Sequence, residues 1–536
     1  MKKILMIRIY LGIIILLGIT GGGLAIYNSA NGPWGYSDPV EYISTAYSIL
    51  HGHGLGYYEG DAQFVFTTIH PPFYSVMLSV IGLTGINLVV AARWLNVLSL
   101  VATIFIAGWI FLHFSRVPVL GVIAGALLCT FPHITKMFSS AYSEPLFVLL
   151  FLSGGLCLLI YQEREKTVFF FIAAVVLGLI PFTRYSGIAM LLSGIVIVFV
   201  LATGNIWARI KKGALFTLIS CLPTLLWLIW VYFVGDHNMG GRNVGANWVL
   251  LGIQFQTFRG TFMDIVWKWI PFQNPITKLS YGFRFVLMGV GLIIIIALSF
   301  LAGRKLHENA ENSRQKSDAL IFIYFGLSAL TYVAVLIATY LFTLPTIDID
   351  NRMLLPLFIG VVMGLLGAYA LWQTAWFREN RRLLQAIPWL VGFLCVYWYI
   401  PQTRQIVELK HQDGGLTAYH WNRSEMIQAV RALPADTALI SNDWELLLLW
   451  TQKPIYGFWV TFPSDLPLQR TAYGTNPGDP VQFVFCDQGA ALVIFNDFPS
   501  QIKDKMGETA QDKMPNLFAR LSIYGAYPDG TIYFCH

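Results

Sequence analysis

Charged residues are scarce in this chain. Of its 536 residues only 12% are charged, while 56% are hydrophobic, and the mean hydropathy is +0.61. An ordinary soluble domain has about 25% charged residues. The scarcity excludes a soluble globular protein and predicts an integral membrane protein. The formal net charge of +6 does not indicate nucleic-acid binding, because in membrane proteins such an excess usually resides in cytoplasmic loops.

Several sequence patterns are also missing. The chain has no internal repeat of fixed period and no low-complexity tract, which argues against solenoids and disordered linkers. It has no Gly-rich phosphate loop between a strand and a helix, so we expect no nucleotide cofactor. The segment GGRNVG at 240–245 is better explained as a flexible turn.

Cysteine is rare, with six residues in the chain. Four of them lie in apolar segments, where a thiol is usually a small buried hydrophobe: Cys129, Cys157, Cys221 and Cys395. Cys486 and Cys535 lie in the polar C-terminal part, and each ends a predicted strand. We predict a disulfide between these two, with two free buried thiols as the alternative.

Long apolar runs are what the sequence does contain. About 20 apolar residues are needed to cross a bilayer. Eleven segments meet this length approximately: 4–28, 91–114, 117–132, 143–161, 167–183, 187–204, 213–235, 282–303, 318–342, 353–374 and 385–401. The first is predicted to be an uncleaved anchor, because its apolar run is long and lacks a clear cleavage site; a signal peptide is the alternative.

Basic residues predict the orientation of these spans. They precede the first span or follow every second one: Lys2, Lys3 and Arg8; Arg116; Arg164 and Lys166; Arg209, Lys211 and Lys212; Arg304, Lys305, Arg314 and Lys316; Arg378, Arg381 and Arg382. Short basic loops normally lie in the cytoplasm. We therefore predict a multi-pass protein of the cytoplasmic membrane, with a cytoplasmic N-terminus and an extracytoplasmic C-terminus.

Three outer segments are long enough to carry function. The first outer loop spans 29–90 and contains PPFYSVMLSVIGLTG, which we interpret as a helix in the membrane interface. A second long loop spans 236–281. Residues 402–536 are polar and mix an amphipathic helical pattern, NRSEMIQAVRALP, with short strand-like runs, ALISND, VQFVFCD, ALVIFND and TIYFC. The predicted domains are a membrane domain, 1–401, and a small extracytoplasmic α/β domain, 402–536.

Charged side chains at the predicted outer ends of spans are candidate site residues, because charge near the membrane is costly. They are Asp38, Glu41, His70, Arg93, Glu144, Arg184, Arg242, Asp348, Asp350 and Arg352. Carboxylates, a histidine and arginines on one side of a membrane would suit a substrate with a phosphate and a hydroxyl, since guanidinium groups hold phosphate and a carboxylate accepts a proton or binds a metal.

Several short motifs resemble the GT-C glycosyltransferase superfamily, especially bacterial relatives of protein O-mannosyltransferases and aminoarabinose transferases. The motifs are SDPVEYISTAYSILHGHGL, HPPFYSVMLSVIG and AARWLNVLSL in and after the first loop, then AYSEPLF, TRYSG and DNRMLLP. Their order and common side of the membrane carry the resemblance, which covers roughly residues 1–400. It implies a GT-C fold of about eleven transmembrane helices.

The resemblance implies roles for individual residues. Asp38 would be the catalytic carboxylate and Glu144 a second acidic residue that positions a metal or the acceptor. Arg184 and Arg352 would hold the phosphate of a polyprenyl carrier. His70 would line the same cavity. Tyr42, beside the first-loop carboxylates, and Arg242, in the long loop, are further candidate substrate-binding residues.

Metal dependence stays open at the level of sequence. Pro39 stands where the family often has an acidic residue. A divalent ion, if used, would be bound by Asp38 and Glu144. Glu41 does not occupy the usual place of the second acid, and we expect it to face solvent.

The implied function is inverting transfer of a sugar from a polyprenyl-phosphate donor to a lipid, glycan or protein acceptor at the outer face of the membrane. Structural alternatives exist for each residue. Asp38 could cap a helix at 39–50, Glu144 could stabilise a helix start, and the arginines could anchor span ends. A transporter or flippase, or an assembly scaffold, is the alternative function.

Overall fold

The computed structural model describes residues 2–202, 204–234, 243–245, 251–271, 279–307, 313–344, 347–376, 381–412, 414–461, 489–506 and 521–535. Two compact units divide the chain. The first, called the helical unit, comprises Met1–Asn28, Thr68–Tyr74 and Trp94–His411. The second, called the mixed unit, comprises Ser29–Thr67, Ser75–Arg93 and Gln412–His536.

Helices dominate the described chain. Up to the long second loop they are Lys2–Asn28, Ser37–Leu50, Phe73–Gly82, Leu88–Trp109, Val119–Thr130, Pro132–Phe138, Glu144–Arg164, Thr167–Thr183, Ile188–Leu201 and Ile206–Val234. A π-helical turn, Ile110–Phe114, continues the fourth, and a 3-10 turn, Tyr185–Gly187, precedes Ile188–Leu201. The later helices are Leu251–Trp267, Tyr281–His307, Ser313–Phe342, Leu355–Trp376, Arg381–Gln412, Glu425–Ala432, Trp444–Thr451, Phe458–Thr461 and Phe498–Met506.

Each of the eleven predicted spans coincides with described helix. Seven helices are long and apolar enough to cross a membrane, and the count rises to eight if the pair Val119–Thr130 and Pro132–Phe138, bent by 65°, is one span. Thr167–Thr183 and Tyr185–Leu201 are apolar but shorter. These counts refer to the described residues. The structure therefore confirms a polytopic helical protein, while the count of eleven spans and their orientation stay predictions.

The helical unit has one large apolar core. Phe131 stacks on Phe358 with ring centroids 3.6 Å apart, and the Tyr399 hydroxyl donates to the Trp269 carbonyl at 2.5 Å. Helices approach closely where glycine allows it. A Cβ on Gly178 would lie 2.4 Å from the backbone oxygen of Ser220, so any larger residue would push the two helices apart. Many exposed side chains of these helices are large and apolar, among them Leu16, Leu218 and Ile293, as contact with lipid favours.

The mixed unit contains a five-stranded sheet. Its strands are β5 (Leu439–Ser441), β6 (Ile455–Gly457), β7 (Ala491–Phe495), β8 (Leu521–Tyr527) and β9 (Gly530–Cys535), in the order β6-β5-β7-β9-β8. β5 is parallel to β6 and β7, whereas β9 is antiparallel to β7 and β8. The predicted α/β character of the C-terminal region is thus confirmed. ALISND, ALVIFND and TIYFC form β5, β7 and β9, whereas VQFVFCD lies outside the described residues.

Short strand pairs complete the described fold. β1 (Gly56–Tyr58) and β2 (Phe64–Phe66) form an antiparallel hairpin in the first loop. β3 (Asn243–Val244) pairs with β4 (Thr343–Leu344). The predicted domain boundary after residue 401 falls within the helix Arg381–Gln412.

Candidate active site

A buried ion cluster in the helical unit centres on Glu144. Its carboxylate, 1% exposed, begins the helix Glu144–Arg164, where Pro145 follows in the first turn. Oε1 accepts from Arg184 Nη1 at 2.9 Å and from Arg352 Nε. Oε2 is buried and has no hydrogen-bond partner within the described part of the chain. One carboxylate and two guanidinium groups leave the cluster with a formal charge of +1.

Arg184 is placed by a break between two helices. Its backbone is extended, with φ −152° and ψ 134°, between the helix Thr167–Thr183 and the turn Tyr185–Gly187. Gly187 permits this tight connection, because a Cβ there would lie 2.7 Å from the backbone of Ile180. The Arg184 guanidinium also donates from Nη1 to Ser143 Oγ at 3.2 Å. The sequence TRYSG therefore turns the chain so that its arginine reaches Glu144.

Arg352 is placed by the turn before the helix Leu355–Trp376. The Asp350 carboxylate accepts from the Met353 N–H at 2.8 Å, and the Tyr332 hydroxyl donates to the Met353 carbonyl at 2.6 Å. The guanidinium carbon lies 4.3 Å from the centroid of the Tyr142 ring, a cation–π geometry. The sequence predicted Arg352 as a phosphate-binding residue but did not predict its aromatic support.

Asn96 supports the segment that carries Tyr142 and Glu144. It is fully buried in the helix Leu88–Trp109, and its Nδ2 donates to the carbonyls of Ser140 at 2.6 Å and Tyr142 at 2.9 Å. Sequence reasoning missed this residue. The available signal was a polar side chain inside an apolar run, which is costly in a membrane unless it is hydrogen-bonded.

His70 lies in the same unit as this cluster. The segment Thr68–Tyr74 belongs to the helical unit. It is tied there by the Tyr185 hydroxyl, which donates to the Thr68 carbonyl at 3.0 Å and accepts from Trp227 Nε1 at 3.0 Å. The His70 side chain is partly exposed. Its role in substrate binding stays a prediction, and Arg242 lies outside the described residues.

Asp38 lies in the mixed unit, in the first turn of the helix Ser37–Leu50. The residue preceding this helix is Tyr36, and no side chain caps the helix start. The alternative that Asp38 is an N-cap is therefore wrong, because the helix begins at Ser37, two residues earlier than the expected start at residue 39. Tyr42, one turn along, is 1% exposed and belongs to the buried core.

Glu41 does not face solvent, so that expectation is wrong. It is 8% exposed, and the Thr67 hydroxyl donates to its carboxylate. Burial raises the pKa of Glu41 to about 7; the hydrogen bond from Thr67 opposes this rise, and the charges of Asp38 and Glu59 add to it. Burial also raises the pKa of Tyr57, and the charges of Glu41, Glu59 and Glu445 add to this rise. The sequence position one turn from Asp38 gave no sign of this burial.

The charges around Glu144 suit an anion better than a cation. A metal ion would have to compete with two guanidinium groups for the same carboxylate. Within the described ranges no group of three or more His, Cys, Asp or Glu side chains could hold a metal ion. Metal binding by Asp38 and Glu144 stays a prediction, and no step below depends on it. Cys486 lies outside the described residues, so its disulfide with Cys535 also stays a prediction.

Comparison with known proteins bears on the fold. No family model and no curated protein matches the chain. Among solved structures, ArnT from Cupriavidus metallidurans in the apo state matches with a TM-score of 0.53 and 12% identity, covering 97% of this chain and 97% of that chain. The fold is similar to that of ArnT. A structure of ArnT from the same organism bound to undecaprenyl phosphate covers 97% of this chain and 98% of that chain, at 12% identity and a TM-score of 0.44.

ArnT is an aminoarabinose transferase of the GT-C superfamily. The likeness to ArnT over nearly the whole chain shows an ArnT-like fold, the kind of fold that the resemblance of the sequence motifs implied. At this identity the likeness to ArnT speaks to the fold alone, and one fold hosts many activities. The activity is therefore argued from the side chains.

Proposed function

We propose that the protein is a glycosyltransferase that moves a sugar from a polyprenyl-phosphate donor to an acceptor hydroxyl at the outer face of the cytoplasmic membrane, with inversion. The observation that carries this proposal is the pair of partly buried arginines, Arg184 and Arg352, on the buried carboxylate of Glu144. The ArnT-like fold and the GT-C motifs support it. In this proposal the polyprenyl chain of the donor lies among the membrane lipids.

The arginine pair supports binding of a donor phosphate. Each guanidinium is planar and has five N–H donors, a geometry that matches phosphate oxygens. The phosphodiester of a polyprenyl-phosphate sugar carries one negative charge, which balances the +1 of the cluster. When the phosphate leaves as a monoester its charge grows, and fixed cations stabilise growing charge in the transition state. The arginines thus favour bond cleavage beyond simple binding.

The proposed transfer forms one bond and breaks one bond at the anomeric carbon of the sugar. An acceptor hydroxyl oxygen forms a bond to the anomeric carbon from the face opposite the phosphate. The bond from that carbon to the phosphate oxygen breaks, and its electron pair stays on the polyprenyl phosphate. The hydroxyl proton passes to the Asp38 carboxylate, which acts as general base. Back-side attack at one centre inverts its configuration.

Substitution of Asp38 tests this function. The purified protein is given a radiolabelled polyprenyl-phosphate sugar and candidate acceptors, and transfer is measured. Asp38→Asn should reduce transfer by on the order of a hundredfold, the scale for losing a general base. The control is Asp436→Asn, which changes an exposed aspartate of the same unit and should keep the wild-type rate.

Two outcomes oppose the proposal. Wild-type transfer by Asp38→Asn protein would exclude Asp38 as base. Absence of transfer by the wild-type protein, together with movement of the labelled lipid across proteoliposome membranes, would instead support the transporter or flippase alternative. The sugar and the acceptor are to be identified by screening donors and acceptors in the same assay.

A further inference from the structure

The first loop is joined to the C-terminal part of the chain by two backbone hydrogen bonds. The Leu416 N–H donates to the Gly35 carbonyl at 2.9 Å, and the Tyr419 N–H donates to the Asn31 carbonyl at 2.8 Å. All four residues belong to the mixed unit. The two acceptors lie three and seven residues before Asp38 in the sequence. This pair of hydrogen bonds, called the loop seam, therefore fixes the chain that leads into the helix of Asp38.

Gly415 makes the close approach at the loop seam possible. It has φ +62° and forms a parallel bridge with Gly35. A Cβ on Gly415 would lie 2.5 Å from the Gly35 backbone oxygen, which is the acceptor of the Leu416 N–H. A side chain at position 415 would therefore have to push the first loop away or break this hydrogen bond.

Two buried side chains support the loop seam. Thr417 is fully buried, and its hydroxyl donates to the Pro33 carbonyl. Trp450, in the helix Trp444–Thr451, donates from Nε1 to the Leu416 carbonyl at 2.8 Å. Because Leu416 is itself a donor in the loop seam, this bond connects the seam to a helix that follows β5.

The helix of Asp38 is also held from the side of the first-loop hairpin. The Gly457 N–H, at the end of the edge strand β6, donates at 2.5 Å to the carbonyl of Gly60, in the turn between β1 and β2. After β2, the Thr67 hydroxyl donates to the carboxylate of Glu41, which lies one helical turn after Asp38. The C-terminal part of the chain thus contacts the first loop both before and after the Asp38 helix.

We propose that the C-terminal part of the chain is a scaffold that positions Asp38, with Thr417 and Trp450 as positioning residues. The inference rests on the proposed function of Asp38 as general base. A base must lie within hydrogen-bond reach of the hydroxyl whose proton it accepts, and a displacement of about 1 Å can cost on the order of a hundredfold in rate. The scaffold prevents such a displacement, because it fixes the chain before the helix Ser37–Leu50 and packs the helix Trp444–Thr451 against it.

A matched pair of glycine substitutions tests the scaffold in the transfer assay. Gly415→Ala places a Cβ against the first loop, whereas Gly489→Ala places one where no described atom lies within 4 Å. The two glycines have φ +62° and φ +64°, so alanine meets the same backbone strain at both positions. Gly415→Ala should lower kcat by about tenfold relative to Gly489→Ala. The KM for the donor should not change, because Arg184 and Arg352 belong to the helical unit and are untouched.

Side-chain substitutions test the two positioning residues separately. Thr417→Val removes the hydroxyl at nearly constant size and should lower kcat by about three- to tenfold, whereas Thr417→Ser keeps a hydroxyl and should recover most of the loss. Trp450→Phe removes the indole N–H and should lower kcat similarly. Its control is Trp459→Phe, which removes an N–H that donates to Gln501 Oε1 at 2.8 Å. Both tryptophan variants lose one hydrogen bond and should lose a similar Tm, but only Trp450→Phe should lose kcat.

Hydrogen exchange of backbone amides measures the scaffold without transfer. Gly415→Ala should speed exchange in the helix Ser37–Leu50, and Gly489→Ala should leave it at the wild-type rate. Equal exchange in this helix for the two variants would overturn the positioning role, as would equal kcat for Trp450→Phe and Trp459→Phe.

Failure of the proposed function has a different signature. Wild-type transfer by Asp38→Asn protein, or absence of transfer by the wild-type protein, would remove the base that the scaffold positions and would overturn both proposals. A large loss of transfer in Asp38→Asn together with equal kcat for Gly415→Ala and Gly489→Ala would overturn the positioning role alone.

Discussion

At the residue scale, the cluster around Glu144 depends on the shape of arginine. A guanidinium is planar, remains charged and offers several N–H donors in fixed directions, whereas an ammonium is a compact, strongly hydrated point charge. The Arg352 Nε–H donates to the Glu144 carboxylate, and the guanidinium carbon of Arg352 lies over the Tyr142 ring. The planar fork of N–H donors also matches the oxygens of a phosphate.

Arg352→Lys is predicted to weaken use of the donor. Lysine keeps the charge but loses the bidentate geometry and the stacking on Tyr142, so the KM for the donor should rise by about tenfold, which corresponds to about 1.4 kcal/mol. Arg404→Lys, at an exposed pair with Glu408, is the matched control and should leave the KM unchanged. An unchanged KM in the Arg352 variant would reduce this residue to a span anchor.

The residues of the cluster around Glu144 could be predicted in part from the sequence. Glu144, Arg184 and Arg352 were each suggested by charge at a span end. That they meet at one oxygen could not be predicted, because Arg352 and Glu144 are 208 residues apart and only the packing of the helices brings them together.

At the scale of elements, the helix Ser37–Leu50 is joined to the first-loop hairpin through a buried carboxyl group. Glu41 accepts from the hydroxyl of Thr67, the residue that follows β2. The pKa of Glu41 is raised from 4.5 to about 7. Glu41 therefore binds its proton more tightly in the folded state than in the unfolded state. At pH values between 4.5 and about 7, the unfolded state has lost this proton while the folded state still holds it.

Stability should consequently fall as pH rises from about 4.5 to about 7, since ionising Glu41 is costlier in the folded protein. The loss is about 1.4 kcal/mol per unit, or on the order of 3 kcal/mol in all. Glu41→Gln cannot ionise and still accepts from Thr67, so its Tm relative to wild type should rise between pH 5 and pH 8. Thermal unfolding in detergent measures this difference.

Glu425→Gln, which changes an exposed glutamate in the first turn of the helix Glu425–Ala432, serves as the control. Its Tm relative to wild type should not rise between pH 5 and pH 8. Burial also raises the pKa of Asp443 to about 7, so this residue too lowers stability as pH rises. Because Asp443 is present in the wild type and in both variants, its effect cancels in the Tm differences. A constant Tm difference between Glu41→Gln and wild type across this pH range would show that Glu41 is not buried in solution.

Element types were largely predictable, because hydropathy decides them in a membrane protein. All eleven apolar segments are helical, since a chain in hydrocarbon must satisfy its own hydrogen bonds. The partners of the elements were not predictable. Nothing in the sequence near Gly35 or Gly415 indicates that they pair, because backbone hydrogen bonds between distant segments leave no local pattern.

At the scale of the whole molecule, the chain visits each compact unit more than once. It leaves the helical unit after Asn28, returns for Thr68–Tyr74, and enters it again at Trp94. The mixed unit is correspondingly built from three segments of the chain. A break at residue 412 would therefore separate the five-stranded sheet from the first-loop segments that fold with it.

The membrane topology depends on one helix. Between Lys212 and Ser424 the described chain contains the helix Leu251–Trp267, which is not among the candidate spans. It also contains five longer helices: Ile206–Val234, Tyr281–His307, Ser313–Phe342, Leu355–Trp376 and Arg381–Gln412. The first four contain candidate spans. The fifth contains Pro388 and Pro401 and is not among the candidate spans found in the described chain. Five crossings put Lys212 and Ser424 on opposite sides of the membrane, whereas four put them on the same side.

We predict that Arg381–Gln412 crosses, because Arg378, Arg381 and Arg382 continue the alternation of basic loops that marks the cytoplasmic side. Reporter fusions after Lys212 and after Arg382 should then both report the cytoplasm, and a fusion after Ser424 should report the outside. The fusions after Arg382 and Ser424 bracket this helix alone, and the fusion after Lys212 controls the count before it. Ser424 on the cytoplasmic side would remove the fifth crossing. It would also place the mixed unit, with Asp38, on the side of the membrane opposite to the one that the proposed reaction requires.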